Sequence, residues 1–164
     1  SKTKAYALGL GKIYLNREGR EPYGIVTDAE VPALVKQIQD ALLGLEHDGK
    51  KVVRSANAGQ DIFEGDSIPE GMAEVYVGFK RGYRVSWQSC LGGVDEEVIS
   101  RNDKVWAADH CSMDPREVPG ILVTNLPIVE REAFVQDIAA TVRDFFDVSG
   151  PEAGRFDGRS LLRK

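Results

Sequence analysis

The chain is poor in the side chains that build metal and redox centres. Its 164 residues hold two cysteines, Cys90 and Cys111, and two histidines, His47 and His110. Two cysteines are too few for a disulfide framework, and they read as reduced thiols of a cytosolic protein, although a pairing between them is not excluded by sequence. No apolar run approaches the ~20 residues of a membrane span, and no signal-peptide pattern opens the chain. We therefore expect a cytoplasmic chain with no membrane partner. Basic residues (21) are outnumbered by acidic ones (26), for a net charge of −5, and no basic stripe stands out. That excludes the electrostatic footprint of a nucleic-acid polymer binder. Lys50-Lys51 and the Arg159–Lys164 tail are the densest basic spots, each short enough to be solvated surface. Internal repeats, low-complexity tracts and an initiator methionine are also lacking. The start at Ser1-Lys2-Thr3-Lys4 reads as that of a processed or cut chain.

What remains is ordinary globular material, 42% hydrophobic and 29% charged, long enough for one domain with its own core. Residues 5–15 read as one strand softened by Gly9 and Gly11, followed by turn chemistry over 16–22. Thr27-Asp28-Ala29-Glu30 fits a capping box. Val31, Leu34, Val35, Ile38, Ala41, Leu42 and Leu45 then recur at helical spacing, with Pro32 in the first turn and His47-Asp48-Gly49 as the stop. Lys51–Arg54 is a short strand. Ala73–Phe79 alternates, and with a turn at Arg81-Gly82 and a partner at Tyr83–Trp87 it predicts a hairpin. Asp95–Ile99 fits one helical turn. Ile121–Thr124 reads as a short strand buried on both faces, and Phe134, Val135, Ile138, Val142, Phe145 and Phe146 predict an amphipathic helix over 131–147. The class is α/β, with the first helix between strands as in a small βαβ-like unit.

Chemistry concentrates in Trp106-Ala107-Ala108-Asp109-His110-Cys111, in a Pro/Gly-punctuated loop before the 121–124 segment. Imidazole, carboxylate and thiolate are the usual transition-metal ligands. Adjacent side chains of a strand point to opposite faces, so all three do not readily face one metal. His110 is the natural ligand, Asp109 its supporting or backbone-anchoring partner, and Cys111 a core residue. A site of His110, Cys111 and Cys90 is a further, weaker arrangement. His47 sits at a helix end, where the helix dipole favours it without any other role. Gly9-Leu10-Gly11 lacks a third glycine and a following helix, so it is no phosphate loop. Arg20, Arg81, Arg84 and Arg116 could each fork an anionic substrate.

Trp106–His110, followed by Asp114-Pro115 and Val118-Pro119-Gly120-Ile121-Leu122-Val123-Thr124-Asn125, resembles the last metal-ligand segment of the alkaline phosphatase superfamily, in its type I phosphodiesterase/nucleotide pyrophosphatase and phosphomutase-like branch. Thr3–Asn16 with Gly19–Val26 resembles the stretch after the central Asp-His-Gly motif of that branch, and Tyr83–Trp87 its return strand. Asp137–Val142 with Phe156–Leu161 resembles its C-terminal helix and tail.

The resemblance implies a phosphate- or sulfate-ester hydrolase, or a phosphoryl-transfer enzyme, with two divalent metals, usually zinc, one activating a Thr or Ser nucleophile and both clamping the transferring group. It makes His110 a metal ligand and Asp109 its support. It divides the chain into a cap-like α+β insertion over about 16–80 and the C-terminal part of a phosphatase-like α/β core over about 81–164. The family's nucleophile and Asp-His-Gly motif have no counterpart here. The expectation is therefore the C-terminal segment of a larger enzyme acting on small phosphate esters, inactive alone and holding no metal stably. Its cut strand edges and apolar helix faces would invite a homodimer. The competing reading is a non-catalytic binding or regulatory module derived from the same fold.

Overall fold

The computed structural model describes residues 2–63, 71–94, 96–103, 105, 114–148 and 156–163. They form a mixed α/β protein in two compact units, Ser1–Pro119 and Gly120–Lys164.

In the first unit β1 (Ala5–Ala7) and β2 (Lys12–Leu15) lead into α1 (Val31–Gly44). A small hairpin of β3 (Glu46–His47) and β4 (Lys50–Lys51) follows, then β5 (Val53–Ala58), the single turn α2 (Gly59–Ile62), β6 (Val75–Phe79) and the turn α3 (Trp87–Cys90). The main sheet has the order β1-β2-β6-β5, every pairing antiparallel. Both β2 and β5 are antiparallel to β6, so they run parallel to each other with β6 between them. Because α1 links them, β2-α1-β5 is a split βαβ crossover, with a strand inserted into the unit the sequence suggests.

Period-two alternation decides which side chains meet the helix. Val53, Ala56, Val75 and Val77 bury one sheet face together with Val52, and Val35, Ile38, Leu42 and Leu45 pack onto it from α1 and its end. Leu15, Val26 and Val75 are fully excluded from solvent. At the helix start the Glu30 carboxylate accepts the Thr27 N–H and the Thr27 hydroxyl, both at 2.9 Å. The Lys4 ammonium, 2.7 Å away, and then these Thr27 donors hold the Glu30 carboxyl down at about 2. Pro32 occupies the first turn, where its missing N–H costs nothing.

Four local readings change. Residues 5–15 are a hairpin rather than one strand. Gly9 and Gly11, at φ +72° and +71°, turn the chain so that Ala5 pairs with Leu15. His47-Asp48-Gly49 is the tip of the β3–β4 hairpin, since α1 has already closed at Leu45. The 73–87 hairpin does not form. β5 takes one edge of β6 along its length, β2 takes the other at Val75 and Tyr76, and the Asp114 N–H meets the Phe79 carbonyl; Tyr83–Trp87 pairs with neither edge, and Ser86 instead caps α3 by accepting the Gln88 N–H at 3.1 Å. Glu96–Ile99 is a bend without helical bonding, and Asp95 lies outside the described residues.

In the second unit α4 (Val135–Phe145) is shorter than the 131–147 pattern. Among the described residues Ile121–Thr124 joins no ladder, and Ile121 is 90% and Val123 88% exposed. Asp137 organises the unit. Its carboxylate accepts the Phe134 N–H at 2.9 Å, the Arg159 N–H at 2.8 Å and Arg131 Nη1 at 2.9 Å. Arg131 first, then these two amides, hold its carboxyl well below the usual range. The Thr141 hydroxyl donates to the Asp137 carbonyl at 2.6 Å and accepts the Leu161 N–H at 3.0 Å, strapping residues 156–163 along the helix. Gly158 passes so close that a Cβ there would lie 2.2 Å from the Gln136 carbonyl oxygen. The tail covers the polar stripe of α4 and leaves Val135, Ile138, Val142 and Phe145 exposed. Among the described residues no helix is long and apolar enough to cross a membrane.

Leu15→Ala should lower unfolding free energy by about 2–5 kcal/mol, whereas Val123→Ala should change it by less than about 0.5 kcal/mol, as read by urea denaturation. Asp137→Ala should free the tail, seen as fast hydrogen exchange at the Arg159 and Leu161 amides with slow exchange retained in β5 and β6.

Candidate functional site

The chain segment that carries Asp109-His110 re-enters the described structure at Asp114. Asp114-Pro115-Arg116-Glu117 has turn chemistry, with Asp first and Pro second, and the Glu117 N–H closes it on the Asp114 carbonyl at 2.8 Å. The Asp114 side chain is 2% exposed and fully engaged. Arg116 forks it with Nε and Nη2, each at 2.8 Å, and the Arg116 N–H adds a third bond at 2.9 Å. The Ser55 hydroxyl donates to Oδ2 at 2.5 Å. Arg116, then Ser55 and the Arg116 amide, outweigh burial and hold the Asp114 carboxyl well below the ordinary carboxylate range.

This anchor exists because of a gap in the sheet. Ser55 on β5 lies opposite Gly78 on β6. A Cβ at Gly78 would sit 2.6 Å from Ser55 Oγ and 3.0 Å from both Cβ and Oδ2 of Asp114. Glycine at 78 therefore makes the room that the carboxylate fills. Gly78 and Tyr76 share a side of β6, so Asp114 docks on the sheet face opposite α1.

The other end of that face is closed by Arg20. Its Nη1 and Nη2 reach Glu74 at 2.7 and 3.2 Å, and its Nε reaches Glu21 at 2.8 Å. Nη2 also donates to the Leu15 carbonyl at 2.6 Å. Glu21 in turn accepts the Tyr6 hydroxyl at 2.8 Å. Burial, then the bond to Glu21 and its charge, push the Tyr6 phenol up to about 12, so it remains a neutral donor.

These contacts correct the readings of Arg20 and Arg116. The forks of Arg20 and Arg116 are closed on the protein's own carboxylates, and the Arg84 guanidinium lies over the Trp87 ring at 4.6 Å. Arg81 is exposed beside the turn at Gly82. His47 is exposed on its hairpin, with Nδ1 3.2 Å from the Tyr83 hydroxyl and its ring edge-on to Tyr83. Its Nε2 lies 3.9 Å from the Asp48 carboxylate. His110, Asp109 and Cys111 lie outside the described residues, as does the Cys90 side chain. Among the described residues no three His, Cys, Asp or Glu side chains are grouped to hold a metal. The anchoring role of Asp114 is not legible in the sequence. Its only local signal is the Asp-Pro turn, and the glycine and serine that bury it are far away in the chain.

The Asp114 anchor should make stability depend on acid pH. Its folded carboxyl titrates below the unfolded value of about 4. As pH falls below about 4, the unfolded chain takes up a proton that the folded chain resists, so stability drops in that direction. Asp114→Asn should be less stable at neutral pH and should flatten the acid limb of a plot of urea midpoint against pH. An unchanged acid limb would rule out Asp114 as its source. No family model matches the chain, and neither the curated proteins nor the solved structures compared with it give a match.

Proposed function

We propose that this chain is the C-terminal segment of a metal-dependent phosphohydrolase of the phosphodiesterase/nucleotide pyrophosphatase kind, with two divalent metals, usually zinc. His110 is one metal ligand and Asp109 its supporting partner. The observation that carries the reading is the ordered motif Trp106–His110, Asp114-Pro115, Val118-Pro119-Gly120. Two structural points support it. The motif's Asp114 is a buried anchor fastened to the sheet, as a residue that sets the exit of a ligand-bearing loop should be. The two C-terminal stretches with family-like sequence, Asp137–Val142 and Phe156–Leu161, are bonded to each other through Asp137 and Thr141.

A zinc site takes about four ligands, or three and an open position, and His110 supplies one. A carboxylate partner such as Asp109 would fix the imidazole tautomer and orientation. The metals would polarise the phosphoryl oxygens and activate the Thr or Ser nucleophile. That nucleophile and the other ligands belong to the parent protein outside these residues, and the chain alone is inactive. The insertion over about 16–80, which contributes α1, β5 and β6, is the cap on the side of a small phosphate ester.

In the full-length parent, zinc-dependent hydrolysis of bis(4-nitrophenyl) phosphate is the expected activity. Asp109→Ala should lose roughly 10–100-fold in activity or metal affinity, and His110→Ala more than that. A parent that hydrolyses neither phosphate monoesters nor diesters with zinc, or a His110→Ala variant at full rate, would replace this reading with the binding-module one.

A further inference from the structure

α4 carries its charge on one side and its large apolar residues on the other. The charged side chains meet neighbours within the second unit. Asp137 binds Arg131 and the Arg159 N–H, Asp144 accepts the Ser160 hydroxyl at 2.7 Å, and the Arg143 guanidinium lies over the Phe156 ring at 4.8 Å. The apolar side is open. Val135 is 87% exposed, Ile138, Val142 and Phe145 are 41–52% exposed, and Phe134 and Phe146 are exposed at the two ends of the helix.

The spacing of this row fits one kind of partner. Positions 135, 138, 142 and 145 repeat by three, four and three, the seam of a two-helix coiled coil. The positions that flank such a seam are Phe134, Ala139, Thr141 and Phe146, none of them charged. Charges at these flanks are what set two helices apart or together, so nothing beside the seam repels a like chain. The row is also self-complementary. Turned end for end about a two-fold axis, it sets Val135 against Phe145 and Ile138 against Val142, and the reverse contacts follow from the same rotation. That arrangement places each helix N-terminus beside the other copy's C-terminus, as the helix dipoles favour.

We propose that α4 pairs antiparallel with α4 of a second copy of this chain, along the seam of Val135, Ile138, Val142 and Phe145. With Phe134 and Phe146 at its ends, the seam lets each copy cover roughly 400–600 Å² of apolar surface. A total of roughly 1,000 Å² is the low end for specific protein pairs, so the dimer is weak, with a dissociation constant on the order of 10 μM. The tail lies on the outside of the pair. The pairing does not rest on the hydrolase reading.

The test is sedimentation velocity of the 164-residue chain over a concentration series. The chain should pass from monomer to dimer and stop there, because an isologous pair closes at two. Ile138→Lys and Val142→Glu, both at exposed positions, should each give a monomer while the Arg159 and Leu161 amides stay slow to exchange. Mixed in equal amounts, the two variants should form a heterodimer, because the antiparallel register sets position 138 of one copy opposite position 142 of the other. A monomer at every concentration overturns the proposal and leaves the face to a partner of different sequence. A dimer that survives Val142→Glu, association that runs past two, or a mixture that stays monomeric while the unsubstituted chain pairs also overturns it. No metal or turnover enters this measurement. Its failure would leave the hydrolase reading standing, and an inactive parent would leave a positive result standing.

Discussion

β6 is hydrogen-bonded along both edges, and the first unit is arranged by that constraint. A strand five residues long that serves β2 on one side and β5 on the other forces those two into parallel directions. They can then be joined only by a crossover, which α1 supplies. Beyond the β2 pairing at Val75 and Tyr76, the Phe79 carbonyl accepts the Asp114 N–H, and Tyr83–Trp87 leaves the sheet to turn through α3. β6 also divides its side chains cleanly, with Val75 and Val77 under the helix and Tyr76 and Gly78 on the opposite face.

Three carboxylate clusters then fasten loops to these elements. Asp114 holds the 114–118 turn to β5 and β6, Glu74 with Glu21 ties the 16–22 turn to the β2–β6 edge through Arg20, and Asp137 ties the tail to α4. Each charge is buried or nearly so, and each is matched by a guanidinium and by neighbouring donors, the condition under which a buried charge is tolerated. Removing one partner leaves the other desolvated and unmet, so these fasteners hold geometry more than they add net stability. Of the arginines that looked free to grip a substrate, Arg20 and Arg116 are spent on this task.

α1 and α4 could be read from the sequence because helical periodicity and capping are local. The spacing of Val31 to Leu45 and the Thr27–Glu30 pair are satisfied within a few turns of chain. The alternation of 73–79 was legible for the same reason. The hairpin at Gly9 and Gly11 was not, because two glycines in a strand-like run fit a bend as well as a reversal. Pairing partners were misassigned where the nearest segment in sequence was not the one that won the edge. At the candidate site only half of the chemistry lay in the motif. His110 and Asp109 stand out by residue type, whereas the Asp114 anchor depends on Ser55 and Gly78, which no spacing rule connects to it.

The sequence by itself therefore determined the mixed α/β class and the two principal helices, and it carries the resemblance from which a phosphate-ester function is proposed. These come from residue type and from periods of two and 3.6. Tertiary structure alone decided the strand order, the carboxylates that arginines neutralise, and the side of α4 that the tail leaves open. The physical reason is that edge saturation, desolvation and close approach at a glycine are properties of segments brought together from distant parts of the chain, and each is settled only when the competing partners meet.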